Sequence, residues 1–80
     1  MPSRRQLADR ERFRSLLKQI RLETGLTQAD LADRLGQPQS FVSKFESGER
    51  RIDVLELRQI CVAMGIGLVD FVRLFEGEDG

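Results

Sequence analysis

The sequence predicts an all-α protein, and three observations carry that prediction. Apolar residues recur at three- and four-residue spacing through most of the 80-residue chain, and no period-two alternation is long enough for a strand. Glycines punctuate the pattern at positions 25, 36, 48 and 65, each just past a periodic run. Two of the runs open on a Thr or Asp followed three residues later by an acidic side chain, the signature of a helix start. Five helices in a single domain spanning 1–80 are expected, without linker, repeat or low-complexity stretch.

The first helix covers residues 4–23, with Leu7, Phe13, Leu17 and Ile20 near one face. Gly25 ends it, because glycine takes the left-handed position after a helix without a Cβ penalty. Thr27 then caps the second helix, Asp30 completes a capping box, and Leu26 and Leu31 are placed as a hydrophobic staple. Leu31 and Leu35 should face inward with Ala32 nearby, and Gly36 stops the helix. Pro38 suits the first turn of a third helix, where a missing N–H is no loss. That helix runs to about Glu46, and "SGER" is a turn with Gly48 at its bend. The fourth helix repeats the device of the second: Asp53 is the cap, Glu56 the box partner, Ile52 and Leu57 the staple. Its inner face is Leu57, Ile60, Cys61 and Met64, and Gly65 closes it. A last helix, 68–76, follows Gly67.

Thirteen Lys and Arg balance thirteen Asp and Glu, so the net charge is zero. The distribution is not neutral. Residues 1–21 carry Arg4, Arg5, Arg10, Arg12, Arg14, Lys18 and Arg21 against Asp9 and Glu11, whereas residues 65–80 carry Arg73 against Asp70, Glu76, Glu78 and Asp79. A basic front and an acidic tail make an asymmetric field in which local sign matters more than the sum. With no histidine, no tyrosine and one cysteine, the chain lacks a His-based catalytic triad and a zinc cluster, so neither enzyme activity, metal nor cofactor is expected. No apolar run reaches the length of a membrane span, no apolar signal segment follows the basic N-terminus, and the lone Cys61 forms no internal disulfide. The cytosol is the expected compartment.

The third helix raises the functional question. At about 100° per residue, Phe41, Phe45 and Val42 share one apolar arc, while Gln39, Ser43, Ser40 and Lys44 fill the opposite side. Glu46 sits at the inner edge of that polar face. Such a face is either a solvated surface or a base-reading one: glutamine pairs with adenine N6/N7, lysine reaches guanine O6/N7, and serine serves bases or phosphates. A short helix, a turn at Gly36 and a second short helix amount to a helix-turn-helix, whose second helix enters the major groove.

The stretches "IRLETGLTQADLADRLG", "QSFVSKFESGER" and "LRQICVAMGI", within residues 16–75, resemble the phage repressor and Cro family of helix-turn-helix proteins, the xenobiotic-response-element type. The resemblance implies a compact lambda-repressor-like DNA-binding domain, with residues 1–15 as a basic extension of the first helix. It implies base reading by Gln39, Ser40, Ser43 and Lys44. It also implies bracing of the second helix against the backbone by Gln28, phosphate contacts from Thr27, Ser47, Arg50 and Arg51, and an ion pair between Arg21 and Glu46. Two positions depart from the family pattern. Pro38 stands where a Ser or Thr cap is usual, and Phe41 either extends the core beside Phe45 or offers an edge to a thymine methyl.

In "LVDFVRLFEG", six apolar residues in eight wrap more of the last helix than one internal face buries. Leu68, Phe71, Val72 and Phe75 are the expected homodimer interface, placing two third helices roughly 34 Å apart. The expectation is a transcriptional regulator binding a pseudopalindromic operator in double-stranded DNA and controlling its own expression, similar in size to restriction-modification controller proteins. The alternative is an antitoxin whose apolar last helix binds a toxin. A protein-interaction module without DNA binding is the third reading.

Overall fold

The computed structural model describes residues 4–77. The side chains of Arg5 and Gln6, the N-terminal residues 1–3 and the acidic positions Glu78 and Asp79 lie outside the described residues. Five helices follow in order: α1 (Arg4–Glu23), α2 (Gln28–Leu35), α3 (Gln39–Ser47), α4 (Val54–Met64) and α5 (Leu68–Phe75). No strand occurs among the described residues.

The helix starts expected at Thr27 and Asp53 are built as their spacing requires. Thr27 Oγ1 accepts from the Asp30 amide at 3.0 Å, and the Asp30 carboxylate accepts from the Thr27 amide at 3.0 Å. Asp53 and Glu56 exchange the same two bonds at 2.8 and 3.0 Å. At each of these two helix starts the amide of the cap residue and that of the third helical residue are thereby satisfied, and the amides between them are left open. At the other end of α2, Gly36 sits at φ 65°, and the amide of Gln37 turns back to the Ala32 carbonyl at 3.0 Å. This left-handed turn lets the chain leave α2 and start α3 three residues later, at Gln39.

The start of α3 differs from expectation. Pro38 is the residue before the helix, in extended backbone at φ −67° and ψ 155°, and supplies no side-chain cap. Its carbonyl accepts from the Phe41 amide at 2.9 Å instead. The helix also runs one residue past Glu46, to Ser47, before Gly48 turns it at φ 88°.

Leu17, Leu31, Val42, Ile60, Cys61 and Phe71 are fully buried, with Ile20, Phe45, Leu57 and Met64 nearly so. These side chains come from all five helices, so the core is shared and no helix folds against one neighbour alone. α3 packs on α1 and α2, α4 on α2 and α5, and α5 returns to α1. Phe13 closes that return edge-on to Phe71 and Phe75, at 5.8 and 6.0 Å between ring centres. Each fully buried side chain of this size contributes about 1.5–3 kcal/mol relative to exposure. Cys61 belongs to this core, and burial pushes its thiol up to about 11.

Two expectations for the apolar faces require correction. Leu7, assigned to the inner face of α1, is 48% exposed. Phe71, assigned to the subunit interface, is 1% exposed and lies in the core. Leu68 and Phe75 pack partly against the same core, and Arg12 lies over the Phe75 ring at 5.0 Å. Of the four residues expected at the interface, Val72 alone is exposed, and the other exposed large apolar residues of α4 and α5 are Val54, Leu55, Val62, Val69 and Leu74. Part of the apolar excess of α5 meets α1, through Phe13 against Phe71 and Phe75, a contact across the length of the chain that the sequence pattern did not reveal.

Candidate nucleic-acid interface

α3 is divided by burial along the line its pattern draws. Val42 and Phe45 are buried, Gln39, Ser40 and Lys44 are exposed, and Ser43 is half-buried. Ser43 Oγ donates to the Ser40 carbonyl at 3.2 Å, which leaves its lone pairs free to accept. Phe41 packs edge-on to Phe45 at 5.5 Å, and the Arg50 guanidinium lies 4.6 Å over its ring, so it extends the core under a cationic lid.

Beneath the exposed face runs a hydrogen-bonded chain. Arg21 donates to both Glu46 oxygens, at 2.7 and 3.0 Å, and to the Leu26 carbonyl at 2.9 Å. The two side chains are only 6% and 4% exposed, and every buried polar side-chain atom among the described residues has a partner. Gln28 Nε2 donates to Glu46 at 3.1 Å, and Gln39 Nε2 donates to the side-chain Oε1 of Gln28 at 3.5 Å, a weak bond by its length. Arg21 on α1 is thus coupled to Gln39 at the start of α3 through two side chains. With its Nε2 turned toward Gln28, Gln39 keeps its amide oxygen and a second N–H available to a base edge.

The flanking residues are more occupied than expected. The Thr27 hydroxyl serves its capping box. Ser47 Oγ donates to the Lys44 carbonyl at 3.1 Å. Arg50 donates to Glu56 at 2.8 Å and to the Arg51 carbonyl at 3.0 Å. The Glu56 bond holds the Arg50 guanidinium more firmly protonated, and Arg50 together with the Asp53 amide holds the Glu56 carboxyl below the usual range. Lys44 and Arg51 carry no ion pair among the described residues.

One positioning residue lies outside the sequence expectations. Arg14 Nη1 donates to the Ser47 carbonyl at 2.8 Å, capping the negative end of α3. A Cβ on Gly48 would come within 3.3 Å of that guanidinium. The signal was present in the sequence, since Arg14 stands seven residues before Arg21 and so on the same side of α1.

A five-helix bundle that presents a polar, carboxylate-free face on the second of two short helices joined by a glycine turn defines a helix-turn-helix DNA-binding domain. Residues 17–71 match the family model described as helix-turn-helix, and the chain belongs to that family as a transcriptional regulator of the XRE type. It is 36% identical over 53 residues to an uncharacterized HTH-type transcriptional regulator, y4dJ, of Sinorhizobium fredii, covering 66% of this chain and 69% of the relative. An XRE-family like protein from Pseudomonas syringae pv. tomato superposes with a TM-score of 0.83 at 41% identity, covering 88% of this chain and 85% of that one. The restriction-modification controller protein C.Esp1396I, solved as a tetramer in complex with its natural 35 base-pair operator, superposes with a TM-score of 0.80 at 26% identity, covering 86% of this chain and 91% of the other.

Proposed function

We propose that the chain is a sequence-specific operator-binding regulator that works as a homodimer on a pseudopalindromic site and controls its own expression. The observation that carries this is the outward face of α3, where Gln39, Ser40, Ser43 and Lys44 stand together without a carboxylate, over a side-chain chain from Arg21 that reaches Gln39. These four read bases, while Gln28, Arg51 and the amide-rich start of α2 meet phosphates. Thr27, Ser47 and Arg50 also flank the backbone, and for them a phosphate bond competes with the partner each already holds. The operator complex of C.Esp1396I supports the same mode of binding here. Val72, Val69, Leu55 and Val62 supply the apolar contact for a two-fold partner, with Leu68 and Phe75 at its edge.

Selection of duplexes from a random DNA library at about 0.15 M salt tests the reading. It predicts an inverted repeat whose half-sites lie about one helical turn apart. Recovery of no consensus would reject base reading by α3. On the selected operator, Lys44→Ala is expected to cost about 1–3 kcal/mol and to relax preference at one base pair. Uniform weakening on all sequences would make Lys44 a phosphate contact instead.

A further inference from the structure

We infer that Arg12 is a positioning residue for half-site spacing: by fastening the end of α5 to α1, it sets the distance and angle between the two α3 helices of a dimer. The inference rests on the operator-binding homodimer proposed above and deepens it.

Three consecutive residues of α1 carry it. Arg14 Nη1 donates to the Ser47 carbonyl at the end of α3, at 2.8 Å. Arg12 Nη2 donates to the Phe75 carbonyl at the end of α5, at 2.6 Å, and its guanidinium lies 5.0 Å over the Phe75 ring. Phe13 between them is edge-on to Phe71 and Phe75. At about 100° per residue, Arg12 and Arg14 leave α1 on flanks roughly 160° apart. One turn of α1 thus holds the ends of both the base-reading helix and the helix assigned to the partner contact.

α5 needs that attachment. Of its eight residues Phe71 alone is fully buried, with Leu68 and Phe75 packed partly against the core. A short helix anchored at its middle can tilt about that anchor unless an end is held. The Phe75 carbonyl lies in the last turn, where carbonyls have no partner within the helix and the dipole is negative. Arg12 meets both needs with a charged donor, and Asp9 steadies the same guanidinium at 3.3 Å. Val69 and Val72 stand exposed on α5, 64% and 45%, as contacts for the partner. A tilt of α5 would re-aim them relative to α3, and a two-fold axis doubles the error between the two α3 helices. DNA is sensitive to such an error, since one base pair of spacing moves a half-site by about 3.4 Å and turns it by about 34°.

The test is binding to three duplexes carrying the selected half-sites at the selected spacing, one base pair closer and one base pair farther apart. The parent should prefer the selected spacing. Arg12→Gln should lose most of that preference, while Arg12→Lys, which keeps a cation able to reach the Phe75 carbonyl, should retain it. Base preference within a half-site should match the parent's in both variants. If Arg12→Gln weakens all three duplexes by one common factor, the inference is overturned, because a merely structural role ignores spacing. A spacing preference equal to the parent's would overturn it as well. So would loss of the Arg12→Gln dimer in sedimentation, since Arg12 would then hold the interface together and not aim it. Failure of the parent to select an inverted repeat is a distinct result, which overturns the operator reading itself. The Arg12 side chain is 56% exposed, so both variants are expected to melt near the parent, which keeps unfolding out of the comparison.

Discussion

Arg21–Glu46 and Arg50–Glu56 are both short arginine–carboxylate pairs, at 2.7 and 2.8 Å, and both hold α3 against the rest of the domain. The first ties its inner side to α1, with side chains 6% and 4% exposed. The second ties its exit loop to the first turn of α4, at 40% and 27%. Identical chemistry has different consequences in the two places. Inside, each charge has already lost its water, so removing one partner strands the other in a low-dielectric site. At the surface, water and salt replace a missing partner at little cost.

Arg21→Ala should therefore be the most damaging single change, costing about 3–5 kcal/mol in urea unfolding by leaving Glu46 buried and unpaired. A small domain has only about 5–15 kcal/mol in all, so this variant should be largely unfolded when warmed. Replacing both partners, Arg21→Met with Glu46→Leu, should recover most of the loss. A single variant within about 1 kcal/mol of the parent would mean that the pair is as hydrated as the surface one.

Next in size is the exit of α3. Gly48→Ala places a Cβ at φ 88° and 3.3 Å from Arg14, so it should cost more than the roughly 1–2 kcal/mol of left-handed backbone alone. Gly36→Ala, at φ 65° with nothing within 4 Å, isolates the backbone part. Equal losses at the two glycines would show that Arg14 does not press on this turn.

Thr27→Ala should cost about 1 kcal/mol, the usual worth of a cap, and thermal melting would reveal it. The surface pair ranks last. Arg50→Ala should shift the melting midpoint less than Thr27→Ala, and the shift should shrink in about 1 M salt. Its acid dependence has a definite sign. The Glu56 carboxyl is held low by Arg50 and then by the Asp53 amide, so its contribution is complete above the ordinary carboxylate range, about pH 4, and fades as pH falls through the depressed value. Arg50→Ala should remove part of that fade. An unchanged acid limb would leave the Asp53 amide as the sole cause.

The caps at Thr27 and Asp53, the glycine stops and the inner face of α4 were legible because each is a local device whose partners lie within one or two turns. The division of α3 into core and outward faces was legible for the same reason, since helical periodicity alone separates Val42 and Phe45 from Gln39 and Lys44. Local pattern placed Pro38 one residue wrong, because a proline fits either the cap or the first turn and only the chain's path from Gly36 decides which.

What sequence by itself determined is thus the set of helices, their ends and the chemistry each face offers. What only tertiary structure decided is which offers were taken up internally. Phe71 was withdrawn into the core by Phe13, which lies far from it in sequence. Arg50 was engaged by Glu56 and Phe41, and Arg14 was fastened to the end of α3. The physical reason is that hydrogen bonds along a helix are fixed by spacing, whereas burial and ion pairing depend on which surfaces meet after the chain has turned back on itself.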